Sequence, residues 1–503
     1  MTSQIHVNRI LNFIVAIALS SAAYHYSTGS HNLWMLIWLA PLPLCIYALN
    51  ASFVSTICVA FFAYFIGNSA FLAESSYPIT LITAIIYGNI LGTIAFSIIL
   101  AIFRYMTIQY KHWTSSLVFA SGFTAYEFIT SLFSRHGTIS SVAYTQITNL
   151  PIIQIASLTG IWGITFLLSL IPAGIATAWH FRQNRPLSNK ILILPFSLLV
   201  LTILFGTYHL DLASSGPSIK IGIVAEPTTL KQYFSIEANK DPRQVLTFLE
   251  KYTRDIEILA QKGANVVLLP EKIFTLSDSS QYDLLQHFRN TAKQYGTYLI
   301  VGLNYPENDN LFNSAFVFSP SGEILLRYDK QHLLPPFENK FTSGSSLGLI
   351  KTSSLGTWGI EICKDMDFIH PALDYSRQGI NIMFVPALDF HDDAWAHGRV
   401  AIMRGIEGNY AIARAGQWGL LTLTDSKGRI IGMSSTDAAQ GETLLTGELQ
   451  LGEGKSVYSK LGDWFGWFCI IIFTILLRPL FSRFLLFFHN TPVLLACSKN
   501  RPD

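Results

Sequence analysis

Long apolar stretches dominate the first 210 residues of the chain. Crossing a hydrocarbon layer of about 30 Å takes about 20 helical residues, and seven stretches come close to that length. They lie at residues 10–26, 33–49, 52–73, 79–103, 114–133, 151–180 and 191–210. The first could instead be a cleaved signal peptide, because Ser20–Ala23 follow its apolar core, although six more stretches come after it. The pattern predicts a transmembrane region of about seven helices over residues 1–210.

The pattern changes at Ser218, where short β-branched runs begin to alternate with amphipathic segments. Strands are predicted at residues 219–225, 265–270, 298–304, 313–319, 322–329, 356–363, 381–387 and 443–449, and helices at 243–262, 281–295 and 396–409. This alternation indicates one α/β domain over residues 218–450. The chain becomes apolar again over residues 461–488, which predicts a last span and about eight in all.

Charge sets the expected orientation in the membrane. Only 13% of the 503 residues are charged and 50% are hydrophobic, whereas soluble domains carry about 25% charged residues. With a cytoplasmic N-terminus, lysine and arginine concentrate on the inner side of the first seven spans, and the outer loops carry only Arg135. An odd number of spans then places the α/β domain outside the cytoplasm. The net charge of +2 gives no reason to expect a nucleic-acid partner.

Three residues of the α/β domain carry the chemistry expected of acyl transfer. Glu271 follows Leu-Leu-Pro, Lys330 follows Tyr-Asp, and Cys363 lies in Glu-Ile-Cys-Lys-Asp, each at the end of a strand-like run. A carboxylate can take the thiol proton, the thiolate can attack a carbonyl, and an ammonium can stabilise the oxyanion. Cys363 is also the only one of five cysteines in the polar half, so no disulfide framework is expected there.

In these motifs the chain resembles the nitrilase, or carbon–nitrogen hydrolase, superfamily, whose Glu-Lys-Cys triad matches Glu271, Lys330 and Cys363. The membrane segments narrow the resemblance to the apolipoprotein N-acyltransferase family, and it covers nearly the whole chain. That family has N-terminal spans, an extracytoplasmic nitrilase-like domain and one final span. The resemblance implies a membrane α-helical bundle joined to an αββα sandwich. It also implies the inner, or cytoplasmic, membrane, with the catalytic domain on the periplasmic side.

Other segments extend the resemblance. Glu338, eight residues past Lys330, is similar to the family's second glutamate. Residues 403–415 resemble the helix and strand after the nucleophile, and Glu127 with residues 150–163 resembles a segment of the membrane part.

The chain also departs from the family pattern. Lys364 and Asp365 stand where the family usually has an aromatic residue and a glutamate. The stretch from Lys330 to Cys363 is shorter than usual, which suggests a trimmed substrate-gating arm. Residues 388–397 are also shorter, and Gln417-Trp418 replaces an expected pair of asparagines. These departures concern the substrates more than the triad.

The resemblance implies a phospholipid acyl donor, membrane lipids as surroundings, and the α-amino group of a lipidated cysteine of an apolipoprotein as acceptor. Glu271 would be the base, Cys363 the nucleophile, and Lys330 with the Lys364 N–H the oxyanion site. Glu338 and Asp365 are candidates for orienting Lys330 or the amine. The Lys364 side chain would either favour the thiolate or face headgroup phosphates.

Two other functions use the same sequence features. A membrane-tethered amidase acting on a small amide would need the same three residues, and a non-enzymatic scaffold would need none of them. A metal site is not expected, because the spacing of the polar loop ahead of the predicted helix at 396–409 fits no familiar zinc pattern. The residues concerned are His391, Asp392 and Asp393 in that loop and His397 in the first turn of the predicted helix. No cofactor is needed for this kind of acyl transfer.

Overall fold

The computed structural model describes residues 2–29, 31–69, 89–212, 216–237, 242–276, 281–390, 393–436 and 444–490. The helices of the N-terminal region are α1 (Thr2–Ser27), α2 (Trp34–Ile37), α3 (Leu42–Asn50), α4 (Phe53–Gly67), α5 (Leu91–Tyr110), α6 (Ser115–Phe133), α7 (Leu150–Ile153), α8 (Ala156–Thr159), α9 (Ile161–His180) and α10 (Arg185–Asp211). Within the described ranges, five helices are long and apolar enough to cross a membrane: α1, α5, α6, α9 and α10. The chain is therefore a membrane protein, while the number of eight spans stays a prediction.

Two predicted spans differ from the structure. The span predicted at 151–180 is wrong in its first part, because the one-turn helices α7 and α8 precede α9. Gly160, at φ +64°, separates α8 from α9. The span predicted at 33–49 is divided into α2 and α3, with Pro41 at the start of α3. The first ten residues of the stretch predicted at 79–103 lie outside the described residues, and residues 91–103 fall in α5.

The C-terminal region is built from two sheets. Its strands are β1 (Ser218–Val224), β2 (Val266–Leu268), β3 (Phe274–Thr275), β4 (Tyr298–Glu307), β5 (Asn310–Phe318), β6 (Ile324–Asp329), β7 (Gly348–Lys351), β8 (Thr357–Ile360), β9 (Ile382–Leu388), β10 (Ala411–Gln417), β11 (Leu420–Thr424), β12 (Ile430–Ser435) and β13 (Leu444–Gln450). The first sheet has the order β13-β1-β2-β4-β5-β6, with β3 beside β4, and the second has the order β12-β11-β10-β9-β8-β7.

The remaining helices cover the sheets. They are α11 (Leu230–Glu237), α12 (Pro242–Gln261), α13 (Gln281–Tyr295), α14 (Ala372–Arg377), α15 (Ala394–Gly408), α16 (Val457–Leu461) and α17 (Trp464–Asn490). Strand β1 shows how the layers form: Ile221 and Ile223 join the core between the sheets, whereas Val224 faces a second core shared with α12 and α13. Helices α14 and α15 cover the second sheet. The αββα sandwich expected from the sequence is confirmed.

Helix α15 joins the two regions of the protein. Ala401 packs with the second sheet, while Val400, Met403 and Ile406 belong to the core formed by the membrane helices. An amphipathic surface helix would leave one face in water, but almost every residue of α15 is buried. The second sheet therefore lies against the membrane region through this helix.

Candidate active site

Cys363 lies in a tight turn between β8 and α14. The strand predicted to run to residue 363 ends at Ile360, and Cys363 begins a 3₁₀ turn that ends at Asp367. Its φ of +46° is unusual for a residue with a side chain, and such backbone strain is concentrated at functional sites. The thiol donates to the carbonyl of Leu388, at the end of β9, with an Sγ–O distance of 3.5 Å.

Glu271 adjoins the same end of β9. Its backbone N–H donates to the Ala387 carbonyl at 3.4 Å, one residue before the carbonyl that accepts from Cys363. The side chain is 1% exposed. Among the described residues its Oε2 has no hydrogen-bond partner, although the atom is buried. A buried, unpartnered carboxylate oxygen is costly, and it is available to accept a proton from a thiol or an amine.

A network of charged groups surrounds Glu271. Lys330, directly after β6, places Nζ 2.8 Å from Glu271 Oε1 and 2.9 Å from Glu338 Oε2. The Asn313 amide on β5 donates to Glu271 Oε1 at 2.5 Å and to Glu338 Oε1 at 2.8 Å. Lys272 completes the network with Nζ 2.9 Å from Glu338 Oε1. The structure thus brings Glu271, Lys330 and Glu338 together, and adds two residues.

Burial and charge act in opposite directions on the pKa values in this network. Burial favours the neutral forms, but Glu271 and Glu338 outweigh it and raise the pKa of Lys330 well above its usual range. Burial would raise the pKa of Glu338, but Lys330 and Lys272 bring it far below its ordinary value. Both groups are therefore charged at neutral pH. The network resembles two ion pairs held by one amide.

Unlike Lys330 and Glu338, which are charged, the thiol of Cys363 is held in its neutral form. Burial, followed by the negative charge of Glu271, raises its pKa well above the ordinary value, and the positive charge of Lys330 only partly opposes this. The thiol is therefore neutral at rest, and a base must remove its proton as the nucleophile attacks. The free Oε2 of Glu271 is suited to that role.

The hydrogen bonds of the Asp365 carboxylate support the local structure and do not orient Lys330 Nζ. Its carboxylate accepts from the Tyr328 hydroxyl at 2.7 Å, from the His332 N–H at 2.7 Å and from the Ile362 N–H at 3.2 Å. It also accepts from the Gln331 N–H. The side chain is fully buried. Asp365 therefore joins the loop after Lys330 to the turn that carries Cys363.

Lys364 extends away from the charged network. Its Nζ lies 3.3 Å from His136 Nδ1, in the loop after α6, and 3.7 Å from Asp367 Oδ2. The backbone of Thr138 in that loop donates to the Asp367 carbonyl at 2.8 Å. The turn that carries Cys363 therefore lies directly against a loop of the membrane region.

Two further ionic groups lie beyond the nucleophile. Arg414 on β10 forms a buried pair with Asp389, with Nη1–Oδ2 at 2.8 Å. His397 on α15 places Nδ1 3.2 Å from Asp367 and Nε2 3.4 Å from Asp393. Despite burial, these carboxylates raise its pKa to about 10.

The His397 imidazolium has a proton on each nitrogen and no lone pair for a metal. Among the described residues no cluster of three or more possible metal ligands occurs. His391 and Asp392 lie outside the described residues.

Lys272 and Asn313 were not identified from the sequence. Lys272 directly follows Glu271, and its φ of +53° turns the chain so that both side chains enter the network. The signal for Asn313 is an amide between the apolar residues Leu311 and Phe312 and the apolar run 315–318 of the same strand. A polar residue at such a position needs a buried partner.

Two family models match the chain. A carbon–nitrogen hydrolase model matches residues 235–458, and a model of the apolipoprotein N-acyltransferase N-terminal domain matches residues 18–174.

Individual relatives agree with the models. An apolipoprotein N-acyltransferase of Geobacter metallireducens is 29% identical over 373 residues, which cover 66% of this chain and 67% of the relative. One of Haemophilus ducreyi is 24% identical over 383 residues, covering 70% and 72%. An omega-amidase of Xenopus tropicalis is 26% identical over 235 residues, or 40% of this chain and 83% of that protein. Among solved structures, an amidase of Nesterenkonia sp. aligns with 19% identity and a TM-score of 0.39, covering 48% of this chain and 92% of that one.

Proposed function

The chain belongs to the apolipoprotein N-acyltransferase family of the carbon–nitrogen hydrolase superfamily, and we propose that it transfers a fatty acyl chain from phospholipid to lipoproteins. The acceptor is the α-amino group of a lipidated N-terminal cysteine. The observation that carries the proposal is the buried Glu271–Lys330–Glu338 network beside Cys363, in a turn that contacts the membrane region.

The first half-reaction forms a thioester. Oε2 of Glu271 takes the Cys363 proton as sulfur attacks the ester carbonyl of the phospholipid, and the C–S bond forms. Lys330 and the backbone N–H of Lys364 stabilise the oxyanion. The C–O bond then breaks, Glu271 returns the proton to the alkoxide, and lysophospholipid leaves.

The second half-reaction transfers the acyl chain to the amine. The amine attacks the thioester, Glu271 accepts one of its protons, the C–N bond forms and the C–S bond breaks. The proton on Glu271 then returns to the Cys363 thiolate. Water must be kept out in between, because it would hydrolyse the thioester. Burial of Cys363, which is 9% exposed, serves this need.

We further propose that the domain over residues 218–450 lies on the periplasmic side of the inner membrane. The support is the distribution of basic residues between the loops of the first 210 residues. A donor taken from the outer leaflet and a lipoprotein acceptor would then meet the site from the same side.

A membrane-tethered amidase is the weaker alternative. The omega-amidase relative covers only 40% of this chain, whereas the transferase N-terminal model matches residues 18–174 in the membrane region. An amidase acting on a small soluble amide has no need of those residues.

The test is mass spectrometry of the purified full-length protein in detergent after incubation with phospholipid. We expect an acyl adduct on the peptide containing Cys363, its absence in Cys363→Ala, and its disappearance when a diacylglyceryl peptide with a free N-terminal amine is added. Release of ammonia from small amides, with no acyl adduct on the wild-type protein, would contradict the transferase and favour the amidase.

A further inference from the structure

The loop after α6 carries a basic surface that the reaction steps above do not use. Arg135 and His136 are both exposed, and they follow the last turn of α6, where Leu132 is 48% and Phe133 82% exposed. An apolar helix end followed by exposed basic residues is typical of the boundary between acyl chains and headgroups. The loop therefore presents positive charge where a lipid phosphate would lie.

Lys364 links this loop to the nucleophile. The Lys364 ammonium is a hydrogen-bond donor with no acceptor atom. In the contact of 3.3 Å, His136 Nδ1 therefore accepts through its lone pair. The His136 proton is then on Nε2, the nitrogen not held by Lys364. Although His136 keeps accessible surface, neighbouring protein atoms partly desolvate its ring, and this desolvation, followed by the charge of Lys364, lowers the pKa of His136 to about 4. The imidazole is therefore a neutral donor held in one orientation.

The charged groups around Lys364 carry one net positive charge. Lys364 and the His397 imidazolium lie beside the carboxylates of Asp367 and Asp393. Arg135 adds one cation. A phosphodiester carries one negative charge, and it accepts hydrogen bonds from a guanidinium and an imidazole N–H.

We propose that Arg135 and the Nε2–H of His136 bind the phosphodiester of the phospholipid donor, with Lys364 holding His136 in place. This rests on the proposed function and specifies how the donor is held. Since Lys364 directly follows Cys363, a lipid anchored at this loop presents its ester to the thiol. Arg135 and His136 are binding residues, and Lys364 is a positioning residue.

The test compares two donors in mixed micelles, using the rate of Cys363 acylation by the full-length protein. One is phosphatidylglycerol, and the other is dimethyl phosphatidate, whose phosphate carries no charge. The variants are Arg135→Gln, which removes the charge, and His136→Asn, which keeps an acceptor for Lys364 but removes the outward N–H. Lys293→Gln, an exposed lysine on α13, is the matched control.

We expect each variant to raise the KM for phosphatidylglycerol about 3- to 10-fold, the effect of losing one hydrogen bond at a solvent-exposed site, where water weakens the charge assistance. The acylation rate at saturating donor stays within about twofold of wild type, because the bond is the same in ground and transition states. The KM for dimethyl phosphatidate rises less in each variant than the KM for phosphatidylglycerol, because its phosphoryl oxygen accepts a hydrogen bond but carries no charge. Lys293→Gln changes neither KM.

An unchanged KM for phosphatidylglycerol in both Arg135→Gln and His136→Asn would overturn the inference, and so would an equal increase for both donors. Competition by inorganic phosphate in the wild type, without any change of donor KM in the variants, would assign the loop to free phosphate instead. The wild-type adduct separates the two proposals. If the adduct forms and the KM values do not change, only this inference fails; if no adduct forms, the proposed function fails.

Discussion

Replacing Lys272 by methionine tests how the buried network controls the base. The Lys272 ammonium lies 2.9 Å from Glu338 Oε1 and 3.8 Å from Glu271 Oε1, and its side chain is 10% exposed. With Lys272 and Lys330 charged, the two carboxylates of the network are balanced. Methionine keeps the length of the side chain, removes the charge and leaves the network with one net negative charge.

The expected size of the effect follows from the distance between Lys272 Nζ and Glu271 Oε1. At an effective dielectric constant of about 20, a unit charge 3.8 Å away contributes about 4 kcal/mol, equivalent to about 3 pH units. Lys330 remains in place and water can enter the space of the lost ammonium. We therefore expect the acidic limb of the pH–rate profile for acylation to move upward by about 1–2 pH units.

The upward direction of this shift has a simple electrostatic cause. Removing a positive charge favours the protonated form of Glu271, which cannot accept the thiol proton. As the solution is acidified, the variant therefore loses its acylation rate at a higher pH than the wild type does, and raising the pH recovers the rate. The assay is single-turnover acylation of Cys363 from phospholipid, followed by intact mass across the pH range.

Two controls make the experiment specific. Lys272→Arg keeps the charge and should keep the wild-type limb, while Lys293→Met removes an exposed lysine on α13 and should change nothing. A Lys272→Met profile that loses rate equally at every pH, with its acidic limb in the wild-type position, would refute the electrostatic reasoning. Lys272 would then only support the local structure.

Three other predictions concern the base, the orientation and a buried histidine. Glu271→Gln should abolish the Cys363 acyl adduct in the same mass assay, because an amide cannot accept the thiol proton, and a normal adduct yield would remove Glu271 from the base role. A reporter enzyme that works only in the periplasm should be active when it is fused near residue 300. Activity there of a reporter that works only in the cytoplasm would contradict the orientation. The folded pKa of His397, about 10, exceeds its ordinary value of about 6.5. Its stabilisation is therefore full below about pH 6.5 and is lost as the pH rises towards 10. The heat-denaturation midpoint in detergent should fall across this interval, and less steeply in His397→Gln; equal slopes would contradict the ion pairs.

The architecture could be predicted largely from local patterns. Alternation of apolar residues located most strands of the sandwich, and helix α13 was predicted with the bounds observed in the structure. Strands β3, β7, β11 and β12 were not predicted, and β10 was expected only from the resemblance of residues 403–415. Strands β3 and β7 are too short to show an alternation, and the edge strand β12 lacks a clear one. The prediction of one continuous span at 151–180 was wrong in its first part for a physical reason. Apolar composition cannot distinguish one long span from two single turns ahead of a shorter span when all are buried.

The candidate site was predictable by residue type but not by contact. Motif resemblance identified Glu271, Lys330, Glu338 and Cys363. The direction of a side chain at a turn depends on tertiary packing. For this reason the sequence left open whether Lys364 acts on the thiol, whereas the structure directs it to His136. Asn313 became relevant only when pairing of β5 with β6 brought it beside Lys330.

A buried arginine also fixes the position of the nucleophile relative to the membrane region, in addition to the contacts of Asp367 with Thr138 and of Lys364 with His136. Arg404 on α15 donates through Nε to the Met366 carbonyl, in the turn that begins with Cys363, at 3.1 Å. Its other nitrogens bond to Glu407 and to Thr138 and Tyr144 of the membrane region. These bonds connect the catalytic turn to the membrane region.

The consequence of this arrangement is functional. A buried, hydrogen-bonded guanidinium cannot be displaced without leaving several polar groups unpaired, so the catalytic turn moves with the membrane region and not independently of it. A soluble hydrolase has no reason to fix its nucleophile in this way. An enzyme whose donor is held in a bilayer does, because the depth of the ester is then set by the membrane, and the thiol must be placed at that depth before the lipid arrives.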